Sequence, residues 1–207
     1  LGTVTTALFA SGGVKPIGSL RDIQVKRQGA TVRRFDLYDL LLRAPSIGRF
    51  LAYQFATDLN YSCLTNFDES EFVVAGPGAL DGIEKCFVGA RSVEPEDVIR
   101  YMYENQHRHF SEEGIDFRSL WGRPLQLIDC QNVFCEISKY ARVAFPEYTG
   151  IAGRTRIKQK FQPTATPLTP WYPPKWGIND SVEQSLRSDV AGVTKRRSGA
   201  IRPIGAN

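Results

Sequence analysis

The amino-acid sequence predicts a mostly helical domain followed by a basic, proline-rich C-terminal tail. Three observations predict it. Apolar residues recur at helical spacing in separate stretches between residues 37 and 141. A short Pro–Gly corner within residues 43–60 joins two of those stretches as a helical hairpin. Past Gly150 the charge balance and the proline content change together. The expected organisation is therefore an N-terminal segment left unassigned (1–36), a helical domain (37–150) and a partly disordered tail (151–207).

Within the first segment, Ser11-Gly12-Gly13 breaks whatever precedes it. Ile23-Gln24-Val25-Lys26 alternates as a strand does, Gln28-Gly29 suits a turn, and Thr31 to Phe35 suits a returning partner. A pair of short helices is the competing reading. Leu37, Leu40 and Leu41 then sit at helical spacing, and Pro45 ends that helix, because the residue before a proline resists the helical region. After Ser46-Ile47-Gly48 a second helix should carry Phe50, Leu51, Phe55 and Leu59 on one apolar stripe, with Ala52 and Ala56 giving close approach, and stop near Asn60. Residues 65–71 read as a polar loop, Phe72-Val73-Val74-Ala75 as a short apolar run, and Gly76-Pro77-Gly78 as a sharp turn. Pro95, with Glu94, Glu96 and Asp97 around it, opens a helix reaching about His109. A last helix, from about Leu125 to Ala141, should bury Leu127, Cys130, Phe134, Ile137 and Ala141 and turn Asn132, Glu136, Lys139 and Tyr140 outward.

The bulk composition narrows the function classes. The chain is 42% hydrophobic, enough for a real core, yet no apolar run reaches the length of a membrane span. The opening stretch lacks a basic start and a long apolar centre, so it is not read as a signal peptide, and the first residue, Leu1, leaves an upstream extension open. Cys63, Cys86, Cys130 and Cys135 fit no familiar metal spacing and read as buried free thiols of an intracellular, cytoplasmic protein. His107 and His109 flank Arg108 on a polar helix end and read as surface residues, so no metal site is assigned. Residues 1–150 carry 16 Lys/Arg against 19 Asp/Glu, whereas residues 151–207 carry 10 against 3. A near-neutral body with a basic tail suits a polyanionic partner, and equally a solvated tail that keeps the protein soluble.

Four constellations carry possible chemistry. At the Arg43-Ala44-Pro45-Ser46-Ile47-Gly48-Arg49 corner, the second helix opens on a glycine, and its first N–H groups have no partner within the helix. With the helix dipole behind them they can take a phosphate without reading any base, and Arg43 and Arg49 add charge. An ordinary helical hairpin is the alternative. The second constellation is the acidic set Asp58, Asp68, Glu69 and Glu71. Asp68 falls 20 residues after Gly48, where the chain can return to the mouth of the hairpin. A carboxylate there could act as a base, stabilise a cationic sugar or hold a metal; a solvated acidic loop is the alternative. Asp58 lies on an otherwise apolar helix, and a buried acid there would need a partner. In the third, Gly76 and Gly78 permit close backbone approach to a ligand or simply make a tight turn. In the fourth, Asn132, Glu136, Lys139 and Tyr140 project to one side, either as a surface pair-and-polar face or as readers of a base edge and its phosphate.

Taken in order, Ala44-Pro45-Ser46-Ile47-Gly48-Arg49-Phe50-Leu51-Ala52-Tyr53-Gln54, Asp58-Leu59-Asn60-Tyr61-Ser62, Phe72-Val73-Val74-Ala75-Gly76-Pro77-Gly78-Ala79 and Asn132-Val133-Phe134-Cys135-Glu136-Ile137-Ser138-Lys139-Tyr140 resemble the helical domain of 5-hydroxymethyl-deoxyuridine (5-hmdU) DNA kinases. They also resemble the related alpha-glutamyl/putrescinyl-thymine pyrophosphorylases of DNA base hypermodification. The resemblance covers roughly residues 37–142. It implies a helix-hairpin-helix fold of the DNA-glycosylase type, acting on modified pyrimidines in phage-type DNA. The family hairpin reads like Leu-Pro-Gly-Val-Gly with an aspartate about twenty residues on; here Pro45-Ser46-Ile47-Gly48 lacks one glycine, and Asp68 stands at the aspartate position. The resemblance thus implies Arg43, Ser46, Gly48, Arg49, Gly76 and Gly78 as DNA-binding residues and Asp68, with Asp58, as catalytic acids. Gln54, Asn132, Glu136, Lys139 and Tyr140 become the base-pocket candidates. The kinases of this group use an attached P-loop domain, and these 207 residues contain no GxxxxGK[ST]. No cofactor is therefore assigned; a divalent metal or nucleoside triphosphate enters only with a P-loop kinase domain or chain as partner. A pyrophosphorylase-like transferase, a glycosylase excising a hypermodified base, and a non-catalytic DNA-binding module serving a separate kinase all stay open.

Overall fold

A computed structural model describes residues 21–62, 65, 67–148, 150–157, 162 and 169–187. Among them the fold is mostly helical. A two-stranded antiparallel ribbon, β1 (Ile23–Arg27) and β2 (Ala30–Phe35), precedes five helices: α1 (Leu37–Leu42), α2 (Arg49–Tyr61), α3 (Pro77–Cys86), α4 (Pro95–Glu112) and α5 (Leu127–Ala144). Short 3₁₀ turns lie at Ala90–Ser92 and Pro174–Trp176, and residues 179–187 are helical.

The ribbon settles the open reading of the N-terminal region in favour of strands. Gln28 and Gly29 both take positive φ (49° and 82°), the pair of left-handed residues that a tight hairpin turn requires. Ile23 packs with Ala56 of α2 and Phe67, so the ribbon is docked on the helical body. Asp36 then caps α1, its carboxylate accepting the Asp39 N–H at 2.9 Å.

Four sequence expectations are corrected here. Gly76-Pro77-Gly78 does more than turn the chain: Gly76 is the N-cap and Pro77 the first residue of α3, a helix missed because its apolar set is short. Proline suits that first position, since its missing N–H would have had no helical partner. On α2 most of the predicted stripe faces outward: Leu51, Phe55 and Leu59 are exposed, Phe50 packs against the core, and Ala52, Tyr53, Ala56 and Asn60 form the buried face. Small residues bring α2 close to its neighbours, and Asn60 binds the following loop through Phe67 N–H (2.9 Å) and Phe67 C=O (3.1 Å). Asp58 is consequently exposed rather than buried, and so is Cys86. Cys63 lies outside the described residues, as do Lys158, Lys160 and Lys195-Arg196-Arg197 of the basic tail.

The core lies between α2, α3, α4 and α5, with Tyr53, Ile83, Ile99, Leu127 and Phe134 at its centre. The α3–α5 seam is the tightest part. A Cβ on Gly82 would stand 2.0 Å from the Phe134 carbonyl oxygen, and one on Gly78 2.9 Å from Cys135 Sγ. The start of α5 is fixed by a reciprocal Gln126/Asp129 capping box and by Gln106, whose side-chain amide pairs with both the N–H and C=O of Leu125. The outward set Asn132, Glu136, Lys139 and Tyr140 is exposed as expected.

Candidate functional site

The corner between α1 and α2 is an open helix start. Gly48 caps α2 in an extended conformation (φ −85°, ψ 171°) without a side-chain cap bond, and space around it is empty within 4 Å of an added Cβ. The N–H groups of the first turn of α2 therefore face outward without a capping side chain. Ser46 takes φ 66°, the left-handed conformation that glycine adopts without cost. Arg49 is exposed beside it, and its carbonyl accepts the Tyr38 hydroxyl at 3.1 Å, which holds the corner against the core. Arg43 is also exposed, but its guanidinium bonds Asp39 at 2.6 Å.

The acidic set divides. Asp68 is exposed, and one carboxylate oxygen accepts both the Ser70 hydroxyl (2.7 Å) and the Ser70 N–H (2.8 Å). Those bonds hold its carboxyl below the usual carboxylate range, so it is a weak base. The bonds between Phe67 and Asn60 tie this loop to the C-terminal end of α2, whereas Gly48 begins it; about 18 Å of helix lies between Gly48 and Asn60. The structure does not bring Asp68 to the corner. Asp58 is on the solvent side of α2. Glu69 points inward instead, accepting Arg123 (2.5 Å) and the Trp176 indole N–H (2.9 Å). Arg100 donates to the Ser70 and Glu71 carbonyls and anchors the same loop to α4.

Gly76 and Gly78 sit in the packing seam. Gly76 is buried, its N–H donating to Gln131 Oε1 at 3.3 Å, and the preceding Ala75 N–H donates to Glu96 at 3.0 Å. Asn132, Glu136 and Tyr140 do line one groove, about 490 Å³, with Asp129, Val133 and Ile137. All six belong to α5, so the groove is the exposed face of one helix, with nothing to enclose a base. Lys139, which does not line it, pairs with Glu136 at 2.5 Å, and Asn132 accepts the buried Gln131 amide at 2.8 Å. Gln54 is half-buried on α2 and is not one of the lining residues.

A different geometry arises where sequence reasoning placed no site. A cleft of about 970 Å³ opens between the 116–125 loop, the start of α5 and the C-terminal segment. Trp121, Tyr172 and Trp176 supply its aromatic faces, with Tyr172 and Trp176 stacked at 6.0 Å and 26°. Behind them Arg123 lies 3.9 Å over the Trp176 ring and bonds Glu69 and Asp129. Tyr61 meets Trp176 edge-on at 5.2 Å, and burial followed by the Glu69 charge pushes its hydroxyl up to about 12. Trp171, by contrast, is 76% exposed. The signal available in the sequence was the Trp171-Tyr172 run in the tail; which partners it would meet was not. Among the described residues no group of three His, Cys, Asp or Glu is gathered as a metal site, and no helix is long and apolar enough to cross a membrane. The thiol of Cys130 is pushed up to about 11 by burial, which leaves it protonated and unreactive.

Fold and geometry together define a small, mostly helical domain with an open helix–corner–helix and a separate aromatic cleft. The model of the 5-hmdU DNA kinase helical domain family matches residues 25–150, and the chain belongs to that family. No curated protein and no solved structure gives a significant match.

Proposed function

We propose that this chain is the DNA-presenting unit of a base-modification system, holding a strand that carries a 5-hydroxymethyluracil-type pyrimidine while a separate P-loop domain or chain transfers phosphate to it. Membership of the kinase helical family supports the substrate class, and these residues contain no P-loop motif, which is consistent with nucleotide chemistry on another segment or chain. The observation that carries DNA contact is the uncapped start of α2 at Gly48, with Arg49 exposed beside it. A helix N-terminus of this kind takes a phosphate regardless of sequence, the task that helix-hairpin-helix domains perform on DNA. The exposed Arg154 and Arg156 beyond α5 add sequence-independent charge.

Gly48→Asp tests this reading with two separable readouts. An aspartate fits the extended N-cap geometry and would cap α2, raising stability by roughly a few tenths of a kcal/mol relative to glycine. The same carboxylate would occupy the phosphate position and repel the strand. The variant is therefore expected to unfold at a higher denaturant concentration yet bind duplex DNA at least tenfold more weakly. Duplex binding that is absent in the unchanged protein, or insensitive to salt, refutes the reading. Incubation with DNA containing 5-hydroxymethyluracil, with and without a P-loop kinase and nucleoside triphosphate, followed by mass analysis of the nucleosides, distinguishes presentation from transfer and from excision.

A further inference from the structure

We propose that the aromatic cleft bounded by Trp121, Tyr172 and Trp176 receives a pyrimidine base turned out of the DNA strand; the assignment rests on the DNA reading above and names where its target base is held. The cleft's volume, about 970 Å³, is ample for one nucleotide with its sugar. Its flat faces suit a base. Trp121 and Tyr172 are tilted at 5.7 Å, Tyr172 and Trp176 are stacked, and Trp121 is 37% exposed, so part of an indole remains available for stacking.

The charges favour a neutral occupant. Arg123 is neutralised by Glu69 and Asp129, and the lining residues Asp116 and Arg118 carry one charge of each sign. No excess of positive charge is left inside the cleft to hold a phosphate, which fits a base within and a backbone outside. Asp129, at the first turn of α5, and Ser119 give the lining polar groups that a base edge can bond.

The backbone is strained at the same place. Trp121 takes φ 47°, a conformation bulky residues rarely adopt, and Gly122 follows at 92°. Reciprocal bonds between Leu120 and Arg123 close this turn, and the indole N–H donates to Ser185 Oγ at 3.0 Å. Glycine or asparagine would make the turn without strain. A tryptophan held there, with its ring fixed by a second segment, is the pattern of a residue kept for its ring. Tyr172, Trp176 and Ser185 lie beyond the family-matched residues 25–150, so the C-terminal segment completes a site that the family domain only half supplies.

The test uses the full chain with a duplex in which 5-iodouracil replaces the target pyrimidine. After irradiation and digestion, adducts are expected on the peptides carrying Trp121, Tyr172 or Trp176. In parallel, Trp121→Leu is expected to lose at least tenfold in affinity for a duplex with one mismatched 5-hydroxymethyluracil, and nothing for the same duplex with an abasic site. Ser185→Ala, which frees the indole without removing it, should lose part of that base-dependent increment while melting like the unchanged protein. Adducts confined to the 132–140 face, no adduct from a bound duplex, or equal weakening of both duplexes by Trp121→Leu would overturn the cleft assignment and leave the DNA reading standing. Failure of the unchanged chain to bind either duplex would overturn both.

Discussion

Ser46 is where local chemistry and fold disagree most plainly. The corner needs a left-handed residue between two helices, and the chain supplies serine at φ 66°. A side chain in that conformation costs about 1–2 kcal/mol, of which glycine's greater freedom in the unfolded state returns part. Ser46→Gly is therefore expected to stabilise the protein by about 0.5–1 kcal/mol, read as a rise in the denaturant midpoint. A neutral or destabilising result would mean that the hydroxyl makes a compensating bond. At Asp68 the carboxylate is committed to Ser70, and its proton affinity is lowered. Asp68→Asn is expected to leave base modification by the proposed kinase assembly within about twofold, because a weak base bound to Ser70 and outside the lining of the aromatic cleft has little to contribute. A large loss of turnover with DNA binding intact would return Asp68 to the mechanism.

At the scale of elements, one arginine stands at the centre of the contacts that dock the C-terminal segment. Arg123 joins the 116–125 loop to Glu69, Asp129 and the Trp176 ring, and its side chain is only 12% exposed. Lys175 reinforces the contact through Asn60 and the Thr65 carbonyl, and Val182 and Ile178 bury the apolar side of the segment. Removing Arg123 leaves Glu69 as a charge without its closest cation in a half-closed site. Arg123→Ala is expected to cost about 3 kcal/mol and to loosen residues 169–187 first. Limited proteolysis and a red shift of tryptophan emission would report the release. A variant that loses stability uniformly, with the segment still protected, would show that the segment is held by its apolar contacts instead.

For the molecule as a whole, the α3–α5 seam and the loop after it share one buried acid. Asp81 is 1% exposed; it accepts Ser138 Oγ at 2.5 Å, Lys85 Nζ at 3.0 Å and the Ala152 N–H at 3.0 Å, with Arg142 3.7 Å away. Burial alone would push its carboxyl up; the Ser138, Ala152 and Lys85 interactions outweigh it and hold the group below the usual carboxylate range. The unfolded chain then binds a proton more readily than the folded one. The contribution is thus present above the ordinary aspartate range, about pH 4, and is lost as pH falls through the lower folded value. Stability is expected to drop on acidification, and Asp81→Asn is expected to be destabilised near neutrality with a flatter acid limb. Equal acid limbs for both proteins would place the acid sensitivity elsewhere.

Residue order by itself determined the helical class, the positions of α1, α2, α4 and α5, the outward polar face of α5 and the family. Those follow from period, proline placement and short motifs, which are local and survive in any tertiary context. The strand pair at 23–35 was legible as one of two readings, because alternation over so few residues also fits a short helix. Four things were decided only in three dimensions: which side of α2 is buried, the helical role of Gly76-Pro77-Gly78, the separation of Asp68 from the corner, and the aromatic cleft. Each depends on partners far away in the chain, such as Phe134 against Gly82, Arg100 against Ser70, or Trp176 against Glu69. Spacing along a chain specifies the direction of a side chain on its own element, but the surface it meets is set by how the other elements pack.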